Sequence, residues 1–303
     1  MGEVVVRVEN FTMQYGSVVA VDNISFSVRR GEVFGLLGPN GAGKTSTLEC
    51  LEGLRTPTSG KLAVMGLDPV RQRTDLLQMT GVQLQVAGLP DSITPKEAMD
   101  IFSAYSRVEP RYELLERLGL SAQLEQQYHT LSTGQQRRLA LALAANNHPQ
   151  VLFLDEPTAG LDVSSRSELH KLISEFQEQG TTILLSTHDM AEAEALSDQV
   201  AILLKGRLVI QGPPRHITAT GAGLTRVSVR TEKNSLAGHD FPAVVRSLEQ
   251  DGYFVHFSSD TAATVGKILE TLTMQKDSLV DLRVERPSLE ERFLELTQEV
   301  DVS

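Results

Sequence analysis

A chain of 303 residues with 41% hydrophobic and 22% charged side chains has the composition and length of a folded globular protein with a sizeable core. The formal net charge of −11 is spread over the chain on both sides of residue 220, which argues against nucleic acid as a partner. The single cysteine, Cys50, excludes an internal disulfide, suits a reducing compartment and reads as a packed thiol in an apolar helical run.

The N-terminal MGEVVVRVEN has no signal-peptide layout, and Val6 argues against myristoylation. No apolar stretch reaches the about 18 residues that a membrane-spanning helix needs, so the expected location is cytoplasmic unless a partner holds the chain at a membrane. Residues 4–8 (VVVRV), 24–28 (ISFSV) and 33–37 (VFGLL) read as strands separated by polar turns such as Arg29-Arg30-Gly31-Glu32. A helix is expected from about Gly43 to Gly53. Helical spacing returns from Thr94 to about Asn147, opened by the capping box Thr94-Pro95-Lys96-Glu97 with proline at the first helical position. Apolar strands at 151–155 (VLFLD) and 181–187 (TTILLST) flank another helix, an alternation that predicts a mostly parallel sheet covered by helices. After the Gly212-Pro213-Pro214 break, the segments TRVSVR, FPAVVRSLEQ, YFVHF, 261–275, LVDLRVE and PSLEERFLELT read as strand, helix, strand, helix, strand, helix. The expected division is therefore residues 1–218, then a small C-terminal α/β domain at 219–303.

Gly38-Pro39-Asn40-Gly41-Ala42-Gly43-Lys44-Thr45 fits G-x-x-x-x-G-K-[ST] between a strand and a helix. Glycines let the backbone N–H groups close on phosphate oxygens, and the following helix directs its positive end at the same anion. Lys44 supplies a mobile cation, and the Thr45 hydroxyl can ligate Mg²⁺. The strand VLFLD delivers Asp155 and Glu156 at its C-terminal end, where open α/β sheets bind ligands. Asp155 suits the metal, and Glu156 suits orienting and deprotonating a water.

Together with Leu131-Ser132-Thr133-Gly134-Gln135-Gln136-Arg137-Arg138, these residues resemble the ABC ATPase family over residues 4 to about 212. The resemblance implies a P-loop NTPase fold with a mostly parallel sheet core, an antiparallel β subdomain and a helical subdomain at about 86–147. It implies ATP and Mg²⁺ as ligands, with Ser46 completing the phosphate loop and Tyr15 stacking on adenine. Gln85 matches the glutamine that joins the metal site to the helical subdomain; it competes with Gln83 in GVQLQ and is preferred because it ends the strand. His188, following TTILLST, matches the histidine that senses the γ-phosphate, whereas the other six of seven histidines lie in no motif. Ser132, Gly134 and Gln135 match signature residues that cap a second subunit's nucleotide, and Asp162 in Ala159-Gly160-Leu161-Asp162 matches the loop that crosses the dimer interface.

Spacing alone leaves a second arrangement open, since a helix antiparallel to VLFLD could place Ser132 near its own Asp155. Thr133 stands where the family has glycine, which would strain a positive φ there, and Val86 stands where an acidic residue is common. Arg137 and Arg138 are expected on a solvated helix face. The partners implied are a second copy, in an ATP-sandwich dimer, and a polytopic membrane subunit, with no nucleic acid. A soluble ABC ATPase without a channel is the alternative. Residues between Lys44 and Ser132 carry no sustained heptads of the kind repair ATPases insert, and no N-K-x-D guanine reader occurs. The tail PSLEERFLELT resembles the ending of drug- and antibiotic-exporter ATPases, which favours export. Its Leu289, Phe293, Leu294 and Leu296 form an apolar stripe that either packs within its own domain or meets a second subunit.

Overall fold

The computed structural model describes residues 2–84, 88–219, 224–285 and 288–302. Val4–Tyr15 (β1) and Val18–Arg29 (β2) pair antiparallel about a turn at Gly16 and Ser17. Ile24, Phe26 and Val28 are buried at every second position of β2, the period of a strand with one face on a core. The register of β1 shifts after Val8, where Asn10 takes φ 49°, and this bulge returns Phe11 and Met13 to the buried face. Val33–Leu37 (β3) is apolar and buried throughout, and the chain passes from it through residues 38–43 into Lys44–Leu51 (α1). Ser59–Val64 (β4) takes the other edge of β1, giving a three-stranded antiparallel sheet. Its apolar side chains share one core with Leu48 and Leu51 of α1, and Phe26 stacks on Phe34 at 5.1 Å. This packing fixes the helix that follows the glycine loop.

Arg73–Met79 (α2) leads into Thr80–Gln83 (β5). Pro95–Ser106 (α3) starts with the expected capping box: the Glu97 N–H donates to Thr94 Oγ1 at 3.2 Å, and the Thr94 N–H to the Glu97 carboxylate at 2.9 Å. Tyr112–Arg117 (α4) and Thr133–Ala145 (α5) follow, and α5 opens on a second capping box formed by Ser132 and Gln135. Leu139 to Ala145 are buried in succession, so the second half of α5 is a core helix, packed with Leu114, Leu115 and Leu152.

Val151–Asp155 (β6), Val163–Glu178 (α6), Thr182–Thr187 (β7), Met190–Leu196 (α7), Gln199–Leu204 (β8) and Arg207–Gly212 (β9) complete the first unit. The central sheet runs β5-β6-β7-β3-β8-β9, parallel except for β9, which turns back at Lys205 and Gly206, both at positive φ. The C-terminal ends of β3, β7 and β6 therefore lie side by side, where a ligand site of an open parallel sheet belongs.

The chain divides between Pro213 and Pro214 into two compact units. The second contains Pro214–Ala219 (α8), Thr225–Thr231 (β10), Val244–Gln250 (β11), Tyr253–Ser258 (β12), Thr261–Gln275 (α9), Leu279–Glu285 (β13) and Leu289–Val302 (α10). Its sheet runs β11-β12-β10-β13 with every pair antiparallel, and Ile268 and Leu272 of α9 pack on one face. The expected helix at 241–250 is thus corrected to a strand. Asp251 (φ 52°) and Gly252 (φ 76°) form a two-residue turn that pairs Gln250 with Tyr253. An Asp-Gly pair between two such runs is a hairpin signal, and it outweighs the helical spacing of Val244, Val245 and Leu248. In the tail helix Leu289 and Leu296 are buried, Leu294 is 56% exposed, and α10 packs against α8 of its own unit.

Candidate active site

The phosphate loop is tight at two glycines. A Cβ on Gly38 would fall 2.3 Å from the Leu203 carbonyl oxygen, and one on Gly43 would fall 2.6 Å from that of Ala20, at a φ of 101°. Gly43 is also the N-cap of α1 and provides no side-chain cap, which leaves the helix's first N–H groups for an anion. Pro39, Asn40 and Gly41 form an exposed rim, whereas Ala42 and Gly43 are buried.

Lys44 is only 5% exposed, and its Nζ donates to the carbonyl oxygens of Gly38 at 2.8 Å and Pro39 at 3.3 Å. Nζ also lies 3.6 Å from Glu156 Oε1. Burial pushes its pKa down, and the carboxylates of Glu156 and Asp155 oppose that shift. The ammonium thus has its donors occupied by groups that a bound phosphate can replace.

Asp155 ends β6 and is buried. It accepts from the hydroxyl of Ser186, its direct neighbour on β7, and from Thr45 Oγ1 at 3.4 Å. Glu156 has φ 51°, a left-handed conformation that costs about 1 kcal/mol or more for a residue with a Cβ. Its backbone is held on both sides: the N–H donates to the Ser186 carbonyl at 3.1 Å and to Ser186 Oγ at 3.3 Å, and the carbonyl accepts from Arg137 Nη1 at 2.6 Å. Its carboxylate sits between Lys44 Nζ and His188 Nδ1, the latter at 2.7 Å. Sequence reasoning missed Ser186, one of three hydroxyl residues with Thr182 and Thr187 in the buried strand β7, which nothing in the local sequence singles out.

Tyr15, at the end of β1, is 38% exposed; its hydroxyl donates to Ser46 Oγ at 3.1 Å, and the Arg55 guanidinium lies 5.3 Å from the ring centroid. The phosphate loop, Asp155, Glu156, His188 and Tyr15 are thus linked through direct contacts. Of the signature stretch, Arg137 reaches Glu156 through the bond just described, whereas Ser132, Gly134 and Gln135 make no hydrogen bond to these groups among the described residues. Ser132 Oγ accepts from the Gln135 N–H at 3.2 Å, and a Cβ on Gly134 would lie 3.3 Å from Leu161 Cδ2. Asp162 caps α6, accepting from the Ser165 N–H at 2.9 Å, and this bond holds its carboxyl below the usual range.

Thr133 is the first helical residue of α5 and has no positive φ, so the strain expected from replacing glycine does not arise. The solvated face expected for Arg137 and Arg138 is corrected, because both side chains are half-buried on backbone carbonyls. Arg138 Nη1 donates at 2.8 Å to the carbonyl of Leu118, the C-cap of α4, where a helix end leaves acceptors unfilled. Gln85 and Val86 lie outside the described residues; Gln83 is buried at the end of β5 with neither amide atom hydrogen-bonded.

Glu52, the C-cap of α1, is 2% exposed, and neither carboxylate oxygen has a hydrogen-bond partner. Burial, reinforced by the charges of Asp155 and Glu49, pushes its pKa up to about 8. The folded protein therefore holds this proton between the ordinary carboxylate range and about pH 8, and stability tied to it is lost as pH rises through that window. Glu52→Gln is expected to unfold at higher denaturant than the parent at pH 8.5, by up to about 4 kcal/mol, with the gap closing toward pH 5. Equal pH dependence of the two proteins would show that burying this charge carries no cost.

A family profile described as ABC transporter matches residues 21–159. The Nod factor export ATP-binding protein I of Rhizobium meliloti is 35% identical over 303 residues, covering 97% of this chain and 88% of that protein. Its counterpart in Neorhizobium galegae is 42% identical over 210 residues, covering 67% of this chain and 60% of that protein. A solved ATP binding subunit of an ABC transporter aligns with a TM-score of 0.66 at 28% identity, covering 70% of this chain and 91% of that one.

Proposed function

The chain belongs to the family of ABC transporter ATP-binding subunits, and from that premise we propose that it is the ATP-hydrolysing motor of an exporter whose channel is a separate polytopic subunit. The observation that carries the chemistry is the Glu156 carboxylate held between Lys44 and His188 beside the glycine loop. Backbone N–H groups from Gly38 to Ser46 receive the triphosphate, and Lys44 turns from the loop carbonyls and Glu156 to the β- and γ-phosphates. Release from Lys44 leaves Glu156 free to orient and deprotonate the attacking water. His188 moves between Glu156 and the γ-phosphate, and Tyr15 stacks on the base.

Two hard oxygen donors 3.4 Å apart, Asp155 Oδ1 and Thr45 Oγ1, would hold Mg²⁺. Held there, the ion would supply positive charge against the phosphates. Gln85 is assigned the link from this metal to the helical subdomain. Ser132, Gly134 and Gln135 close on the nucleotide of a second copy, with Asp162 at the same interface.

Export is favoured because the Rhizobium meliloti relative, which this chain matches over nearly its whole length, is an export ATP-binding protein. No helix among the described residues is long and apolar enough to cross a membrane, so the channel is assigned to a partner that holds this subunit at the cytoplasmic face. Cargo choice then lies with the channel. Purifying the tagged chain from membranes should bring down one polytopic protein, with ATP hydrolysis that stops when Mg²⁺ is chelated. Full metal-free turnover, or recovery without any membrane protein, would overturn the assignment.

A further inference from the structure

We propose that Arg137 is a positioning residue for hydrolysis, tying the signature helix to the backbone that aims Glu156. The inference rests on Glu156 being the base. Glu156 stands in a left-handed conformation that its side chain disfavours, so neighbours must hold the peptide. Ser186 grips its N–H side from β7, and its carbonyl accepts from Arg137, reaching from α5, at 2.6 Å and, more weakly, from the Ala159 N–H of its own turn at 3.3 Å. The Ser186 and Arg137 clamps come from different parts of the fold. β7 belongs to the central sheet, whereas α5 begins at Ser132 and Gly134, the end that closes on a second subunit's nucleotide.

Arg137 lies five residues beyond Ser132 on a helix stiffened by its capping box and by the buried run from Leu139 to Ala145. A turn or shift of that helix on engaging nucleotide carries the guanidinium with it. The carbonyl of Glu156 follows, and the direction of the Glu156 carboxylate changes relative to Lys44 and His188. Arg137 thereby makes the rate of water attack depend on whether the signature is engaged. A charged donor suits this task, because guanidinium-to-carbonyl bonds are stronger than neutral ones and hold a strained peptide more firmly.

Arg138 provides an internal control. It leaves the same helix and makes the same kind of bond, but to the Leu118 carbonyl of α4, away from the phosphate loop. Steady-state ATPase rates and equilibrium ATP binding would be measured on the full chain for Arg137→Met, Arg137→Lys, Arg138→Met, Glu156→Gln and the Arg137→Met/Glu156→Gln double variant. Arg137→Met should lower kcat about 10- to 100-fold with ATP affinity within about twofold of the parent, the scale of loss from a misplaced catalytic group. Arg137→Lys should recover part of that loss, and it carries the same split between kcat and affinity should Arg137→Met fail to fold. Arg138→Met should keep the parental kcat. The double variant should be no slower than Glu156→Gln, because Arg137 acts only through that residue.

Arg137→Met at the parental rate beside a slow Glu156→Gln would overturn this inference alone. Equal losses in Arg137→Met and Arg138→Met would reduce Arg137 to a structural cap and overturn it likewise. A Glu156→Gln protein at the parental rate would remove the base itself, and with it both readings.

Discussion

Glu156→Gln is expected to bind ATP as the parent does and to turn over roughly 10²–10⁴-fold more slowly. The substitution keeps the size of the side chain and an oxygen able to face His188 Nδ1, which now lies 2.7 Å from Glu156 Oε2. It removes the negative charge that the proposed base would use to accept a proton, a charge that would face a water only after Lys44 had moved to phosphate. The loss corresponds to about 3–5 kcal/mol of barrier, much more than one uncharged hydrogen bond supplies. Nucleotide titration and phosphate release on the same preparation separate the two effects. Affinity should stay or rise, since Lys44 no longer leaves a carboxylate partner to reach the nucleotide. Turnover at the parental rate would send the search for a base elsewhere in the site.

The parts of this site that were legible in the sequence are those whose chemistry is local. The glycine loop is contiguous, and its steric reasons appear at Gly38 and Gly43, where a side chain would strike a carbonyl. Asp155 and Glu156 were readable because a buried apolar strand ends in two carboxylates. Ser186 was not, because its importance comes from register: it faces Asp155 across the β6–β7 pairing, 31 residues away. Arg137 and Arg138 were misread for a similar reason. An arginine on a helix looks solvated until the fold brings an unfilled carbonyl within reach. Glu52 reads as an ordinary helix-end carboxylate, and nothing nearby in sequence announces that packing closes over it. The strand at 244–250 was lost to an apparent helical spacing, although the Asp251-Gly252 pair carried the correct signal.

Mixing two inactive variants should restore hydrolysis if the signature acts on a second subunit's nucleotide. Lys44→Ala removes the cation that occupies the centre of the phosphate loop, so that chain should lose nucleotide affinity itself. Ser132→Arg puts a long cation at the exposed start of α5 while leaving the loop of its own chain intact. Ser132 also caps that helix, so this variant gives up about 1 kcal/mol and its folding must be checked by thermal denaturation. Each variant alone should be inactive. In a mixed dimer, however, the intact loop of the Ser132→Arg chain faces the intact signature of the Lys44→Ala chain. Random mixing in equal amounts makes half the dimers mixed, each with one sound site of two, so about a quarter of parental activity is expected. An arrangement within one chain predicts none, because every chain then carries a defect in its own site. The lack of a hydrogen bond from Ser132, Gly134 or Gln135 to the phosphate loop of the same chain favours the first outcome. Native mass spectrometry can establish that mixed dimers have formed, and inactivity in their presence would count decisively against a shared site.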